Sequence, residues 1–189
     1  MLFINNRDSF VYNLVDYVVR ISDSKVIVVD NSISLKEIEE IAPNRIVVSP
    51  GPGHPRETGN VIPMIQNFYL EIPILGVCLG SQAVYEAFGG RVDRMDSGPV
   101  HGKASYIYHD GRGIFQGVEN PFLAARYHSL EAKAESLPDC LETTAKTRDG
   151  GLMGIRHVSA RVDGVQFHPE SIITQHGLRI IKNFIYQKN

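Results

Sequence analysis

Ile74-Leu75-Gly76-Val77-Cys78-Leu79-Gly80-Ser81-Gln82 is the stretch on which the reading of this 189-residue chain turns. An apolar run ends at Cys78, and beyond it Ala83, Val84, Ala87 and Phe88 recur at helical spacing. The pattern predicts a strand that bends sharply into a helix, with a thiol at the bend. Gly76 and Gly80 flank that thiol two residues away on either side. Small neighbours permit the tight turn of a nucleophile elbow, which holds the reactive atom clear of its own backbone. A helix beginning at Leu79 offers the sulfur its positive dipole end and its unpaired N–H groups, of which Leu79 N–H is the natural donor to an oxyanion. Thiol-based acyl transfer is the chemistry that such a bend serves.

Working outward, short apolar runs at residues 2–4, 25–29 and 45–48 precede the run at 74–77 and alternate with longer segments of helical spacing. That alternation is the signature of βαβ units around a parallel sheet. Phe10, Leu14, Tyr17, Val18 and Ile21 recur every three or four residues, with Ser9 or Asp8 as candidate N-cap, and Ser34-Leu35-Lys36-Glu37 is a capping box ahead of Ile38 and Ile41. Past Gly89-Gly90 the texture changes to β-leaning runs at 104–108, 123–127, 141–147, 152–155 and 161–167, broken by Gly, Asp and Pro. Helical spacing returns over 172–186 through Leu178, Ile181 and Ile185. The expected fold class is α/β: an open, mostly parallel sheet with flanking helices, plus a smaller antiparallel β element in the second half. Residues 1–189 read as one domain, without repeat or linker.

Nineteen Lys and Arg against 21 Asp and Glu give a net charge of −2, so no global field favours nucleic acid or an anionic membrane. Neither partner is expected. The two cysteines, Cys78 and Cys140, lack CxxC spacing, and Leu137-Pro138-Asp139-Cys140 reads as a turn. A reducing, cytoplasmic setting suits them. The start of the chain lacks a signal-peptide core, and no run of 18 apolar residues occurs. The histidines show no metal-ligand spacing, so no metal and no other cofactor is expected.

Two further elements carry chemistry. His168-Pro169-Glu170 follows the last β-leaning run, and Pro169 forces the chain out of the sheet at the strand end, where α/β active sites collect. His168 is the candidate base, and Glu170, two residues on, can return toward the imidazole and set its tautomer. Ser49-Pro50-Gly51-Pro52-Gly53-His54-Pro55 follows another strand. Its prolines and glycines make either a rigid β-to-α turn or a loop that presents N–H groups to an oxyanion. It ends without the Lys-Ser/Thr of a phosphate loop. A thiol hydrolase of the α/β-hydrolase type would place its acid between nucleophile and histidine, whereas Glu170 follows His168. A non-catalytic binding module would leave Cys78, His168 and Glu170 unexplained.

Together, the loop at 50–53, the Gly-x-Cys-x-Gly elbow at 76–80 and His168-Pro169-Glu170 resemble the class I glutamine amidotransferase family over nearly the whole chain, in the family's order. Asn6-Arg7-Asp8-Ser9-Phe10-Val11-Tyr12-Asn13, His101-Gly102-Lys103, Arg126-Tyr127-His128-Ser129-Leu130 and Met153-Gly154-Ile155-Arg156-His157 are similar to the glutaminase subunits of anthranilate synthase and aminodeoxychorismate synthase. Asn5, where that branch has aspartate, and Ser81, where it has histidine, depart from the pattern. Glutaminases of GMP synthetase are similar in length but usually lack the Arg-Tyr-His-Ser-Leu run.

The resemblance implies a flavodoxin-like glutaminase in which Cys78 attacks L-glutamine, His168 moves the protons and Glu170 orients the imidazole. It implies substrate and oxyanion contacts from Gly51, Pro52, Gly53, Leu79, Gln82, Ser129 and Leu130. Gln82 reads from sequence either as an exposed helix residue or as an amide that donates and accepts near a zwitterion. The resemblance further implies a chorismate-binding synthase subunit in trans that consumes the ammonia. The loop at 52–59 and His101-Gly102-Lys103, the latter reading equally as a charged hairpin tip, are the candidate contacts with it.

Overall fold

The computed structural model describes residues 1–96 and 98–186, and at His101 the backbone without the side chain. Four strands stand where the early apolar runs predict them: β1 (Leu2–Asn5), β2 (Ile27–Asp30), β3 (Ile46–Val48) and β4 (Ile74–Val77). The later strands are β5 (Val92–Arg94), β6 (Val100–His109), β7 (Phe122–His128), β8 (Leu130–Ala132), β9 (Leu141–Thr147), β10 (Leu152–His157) and β11 (Val162–Val165). One nine-stranded sheet has the order β2-β1-β3-β4-β11-β10-β9-β6-β7. Its β2-β1-β3-β4-β11 portion is parallel, and antiparallel pairings extend it from β11 to β7. The antiparallel element expected in the second half therefore has two parts: this extension, and a separate β5–β8 ribbon.

The helices are α1 (Val11–Ile21), α2 (Leu35–Ile41), α3 (Val61–Phe68), α4 (Leu79–Ala87) and α5 (Gly177–Tyr186). Successive strand side chains point to opposite faces, so each strand feeds two cores. Val47, Leu75 and Val77 pack with Leu14 and Val18 of α1 and Ile181 and Phe184 of α5. Ile46, Val48 and Ile74 pack with Ile38 of α2, Met64 and Ile65 of α3, and Ala83 and Val84 of α4. Each of these larger side chains (Val, Leu, Ile, Met or Phe) taken from water contributes about 1.5–3 kcal/mol, which fixes the sheet between two helical layers.

The capping box opening α2 is present in full: Ser34 Oγ accepts from Glu37 N–H, and Glu37 Oε2 accepts from Ser34 N–H. Three local expectations are corrected. Helix α1 has no side-chain cap; Asp8 Oδ1 instead accepts from Phe10 N–H at 2.8 Å, closing a turn one residue too early to cap the helix. The closing helix begins at Gly177, not near 172, because Ile172 is 99% exposed and has no face to bury. Leu178 is likewise exposed, and Ile180, Ile181, Phe184 and Ile185 form the buried stripe.

Candidate active site

The carboxyl ends of the parallel strands all reach one edge of the sheet, so the segments following β1, β3, β4 and β11 converge there. Cys78 sits between β4 and α4 with φ 52° and ψ −105°, a left-handed, strained backbone for a residue with a side chain. Strain of this kind costs on the order of 1–3 kcal/mol and persists only where surrounding contacts impose it. Here they do. Cys78 N–H donates to Val165 O of β11 at 2.8 Å, and a methyl added to Gly76 would lie 2.7 Å from the Ser81 nitrogen. Gly76 thus serves close approach of strand β4 to the first turn of α4, and Gly80 that of the same turn to Val48 of β3. The first bond within that helix runs from Gln82 N–H to Cys78 O at 3.1 Å, which leaves Leu79 N–H ahead of the helical ladder, beside the sulfur.

His168 is held by backbone and side-chain bonds together. Its N–H donates to Ala125 O of β7 at 3.0 Å, and its carbonyl accepts from Thr174 Oγ1 at 2.6 Å. The imidazole Nδ1–H donates to Glu170 Oε1 at 2.6 Å, so Glu170 returns toward the ring as the sequence suggests. Burial alone would lower the His168 pKa, but hydrogen bonding and charge from Cys78 and Glu170 outweigh it and push it up to about 10. The ring is therefore a proton donor at neutral pH. Its buried Nε2 meets no partner with the geometry of a formed hydrogen bond, although Cys78 acts on it at short range. Catalytic pairs commonly tighten only around the substrate. Phe10 and Tyr127 cover the ring edge-on, with centroids 5.9 and 5.1 Å away.

A cavity of about 200 Å³ opens at the elbow, lined by Gly51, Pro52, Gly53, Cys78, Leu79, Gln82, Tyr127, His128, Ser129 and Leu130. All seven residues expected to contact substrate or oxyanion share it with Cys78, while His168 and Glu170 are not among its lining residues. Pro52 has no N–H, so the loop's donors are those of the two glycines. Gly51 is pressed against Asn6 and Leu79, where a methyl would fall 2.6 Å from Asn6 O and 2.9 Å from Leu79 Cδ2. Gly53 has φ +84°, which only glycine adopts without strain. Arg56 Nε donates to Glu86 Oε2 of α4 at 2.8 Å and ties the following turn to the elbow helix. Larger clefts by β2 and α2 and on the β6–β7–β9 face bring no cysteine together with a base.

Gln82 is 3% exposed, not a surface residue, and both its amide N–H groups are used: one donates to Leu130 O and one to Gln166 Oε1, each at 3.0 Å. Its carbonyl oxygen is the part left to face a ligand. Of the two departures from the family branch, Asn5 Oδ1 accepts from Asp8 N–H at 2.9 Å, and Ser81 is buried against Gly164 of β11. The loop at 52–59 exposes Pro52, Gly53, Arg56, Glu57 and Gly59 but buries Pro55 and Thr58. Gly102 sits in β6 at φ +67°, and the side chain of His101 lies outside the described residues. Sequence reading missed Gln166, whose Nε2 lies 3.6 Å from Cys78 Sγ. The available signal was proximity: Gln166 directly follows the strand that delivers His168 to the same sheet edge.

A thiol on a strained backbone at a helix N-terminus, an imidazole held by a carboxylate and a small pocket lined by the glycines of the 51–53 loop thus meet at one edge of the sheet. A model of the glutamine amidotransferase class-I family matches residues 2–188. The chain belongs to that family. It is 52% identical over 194 residues to anthranilate synthase component 2 of Methanocaldococcus jannaschii, covering 98% of this chain and 95% of that protein. It is 48% identical over 185 residues to aminodeoxychorismate/anthranilate synthase component 2 of Bacillus subtilis, again covering 98% and 95%. A solved structure described as a putative GMP synthase protein from Thermoplasma acidophilum superposes with a TM-score of 0.86 at 25% identity, covering 97% of this chain and 91% of that one.

Proposed function

We propose that the chain is, as a single domain, the glutaminase subunit of anthranilate synthase, releasing ammonia from L-glutamine for a chorismate-using synthase subunit in trans. The observation that carries the chemistry is the strained Cys78 elbow beside an imidazole that Glu170 holds at 2.6 Å. The thiolate of Cys78 attacks the side-chain amide carbon, and the C=O electrons move to oxygen. Leu79 N–H and a glycine N–H of the 51–53 loop stabilise that oxyanion, one such donor typically being worth ~10²–10³ in rate. As the intermediate collapses, the C–N bond breaks, His168 gives its proton to the leaving nitrogen, and ammonia departs from a γ-glutamyl thioester. His168 then takes a proton from water as it attacks the thioester, which frees glutamate and regenerates Cys78. The Gln82 oxygen suits the α-ammonium of the substrate, and the Ser129–Leu130 turn suits its α-carboxylate through backbone N–H.

The names of the relatives support the partner and also admit aminodeoxychorismate synthase, since the Bacillus protein carries both descriptions. GMP synthetase is the more distant reading, resting on a fold match at 25% identity. The two cysteines are free, and no described helix is long and apolar enough to cross a membrane, which suits work in the cytoplasm. The test uses the chain with its synthase partner. Glutamate release from glutamine is expected, and Cys78→Ala should abolish it while ammonia-dependent synthesis by the partner continues. Glutaminase activity persisting in Cys78→Ala refutes the nucleophile, and chromatography of the partner's product separates anthranilate from aminodeoxychorismate.

A further inference from the structure

Cys78 is 5% exposed, so a charged sulfur there has little water to stabilise it and depends on fixed donors. His168 stands on one side. On another, Gln166 Nε2 lies 3.6 Å from Sγ, an ordinary length for an N–H···S bond, and Gln166 is itself only 3% exposed. The amide's direction is fixed by a chain of hydrogen bonds. A backbone carbonyl only accepts, so the end of Gln82 that meets Leu130 O at 3.0 Å is its NH₂. The second hydrogen of that NH₂ points to Gln166 at 3.0 Å, where it requires an oxygen. With its oxygen so engaged, Gln166 turns its own NH₂ to the sulfur.

Leu130 is anchored in turn. Its carbonyl also accepts from His128 Nδ1 at 2.7 Å, and His128 Nε2 accepts from Arg126 Nε–H at 3.1 Å. A guanidinium only donates, so this places the His128 proton on Nδ1. The two arms meet at Leu130 O, which accepts from both; the His128 arm holds that carbonyl in place, and the Gln82–Gln166 arm sets the direction at the sulfur.

We propose that Gln166 is a catalytic residue that donates a hydrogen bond to the Cys78 thiolate, with Gln82 as the positioning residue that keeps its NH₂ turned to the sulfur. The proposal deepens the glutaminase reading and rests on Cys78 as nucleophile. It gives Gln82 two tasks, since the amide whose oxygen faces the substrate also orients the group that activates the thiol.

The test is the rate at which Cys78 is alkylated by iodoacetamide across pH 5–10 in the full chain, read at the Cys78 and Cys140 peptides by mass spectrometry. Alkylation forms an S–C bond and expels iodide, and it requires the thiolate but neither glutamine nor a partner. Gln166→Met keeps the length of the side chain and removes the donor. Its Cys78 rate near pH 6.5 should fall about tenfold, equivalent to about 1.4 kcal/mol, and the midpoint of the profile should rise by about one pH unit. Gln82→Glu leaves Gln166 in place but offers its amide a competing carboxylate. It should slow alkylation in the Gln166 background and not further in Gln166→Met, a coupling that a general loss of packing would not produce. Should Gln166→Met fold poorly by thermal melting, Gln82→Glu alone carries the test. A wild-type profile in a folded Gln166→Met, or in Gln82→Glu, overturns the proposal and leaves the nucleophile standing. A wild-type Cys78 that reacts no faster than Cys140 near pH 6.5 overturns both.

Discussion

Gly80→Ala sets two effects of known size against each other at the elbow. Gly80 is the second residue of α4, and alanine in a helix is favoured over glycine by about 1 kcal/mol, less near an end. A methyl there would meet the backbone of β3: 2.9 Å from the Val48 carbonyl carbon, 2.9 Å from Val48 Cβ, and closer still to the carbonyl oxygen. Carbon atoms settle at ~3.5–4.0 Å, so α4 must retreat from β3 by roughly half an ångström or more. Val48 O belongs to a strand buried between parallel neighbours and cannot move aside. Overpacking of this kind costs about 1–3 kcal/mol and exceeds the propensity gain. The net loss is about 1–2 kcal/mol, or roughly 2–8 °C in Tm for a chain of this length. Activity should fall further than stability, because the retreat carries Leu79 N–H and Cys78 away from the 51–53 loop and His168. Misplacement on the ångström scale costs about 10²-fold. The assay pairs a thermal melt with glutaminase kcat/KM in the complex with the synthase partner. A variant that melts above wild type shows that helix propensity outweighs the contact. A variant that loses stability but keeps full kcat/KM refutes the claim that this approach sets the reacting geometry.

Two further outcomes follow from the buried charges. Glu170→Gln removes one of the groups that raise the His168 pKa, so the imidazole should titrate below about 10 by NMR and kcat should fall by about 10²–10⁴, while KM changes little; an unchanged kcat removes the orienting role. Asp163 of β11 is raised to about 6, chiefly by burial and against the pull of Arg156, from an ordinary 3.8. Between those values the folded state holds a proton that the unfolded state has lost, so this group's contribution to stability decreases as pH rises from 3.8 to 6, by about 3 kcal/mol in all. Asp163→Asn should therefore flatten the wild-type difference across that window, with little cost at pH 7 because Arg156 keeps Asp110 and Glu142; urea melts at pH 4, 5, 6 and 7 check the sign.

The strands that sequence reading finds are those whose apolar content is uninterrupted, such as Ile74–Val77, or that are rich in β-branched residues, such as Leu141–Thr147 with its three threonines. What it misses is short or disguised. Helix α3 carries Pro63 at its third residue, a helix breaker anywhere but in the first turn, where the missing N–H has no ladder partner to lose. β5 and β8 are three residues each and pair with one another across a long stretch of sequence, so neither shows a period. At the site, the residues flanked by glycine or proline announce themselves, because those neighbours restrict or free the backbone in ways that need a reason. Gln166 lies between Val165 and Phe167, both fully buried, and reads as the polar face of an ordinary strand end.

The position of that strand explains why Gln166 matters. β11 is the seam of the sheet, parallel to β4 on one side and antiparallel to β10 on the other. Parallel pairing with β4 aligns Val165 with Val77, so the residues that follow each strand, Gln166 and His168 on one and Cys78 on the other, emerge side by side. The antiparallel extension brings β7 back past them, with Ala125 bridged to His168 and the Ser129–Leu130 turn closing the pocket. A wholly parallel sheet would give the thiol and the imidazole but would require a separate long loop to reach the substrate's far end. The strain at Cys78 is held by the same seam: the Cys78 N–H bond to Val165 O keeps the left-handed elbow from relaxing, and the Gln166 amide that begins one residue later meets the sulfur this bond presents. Backbone strain, thiol activation and base placement thus depend on one strand pairing, and a disturbance of β11 should degrade all three together.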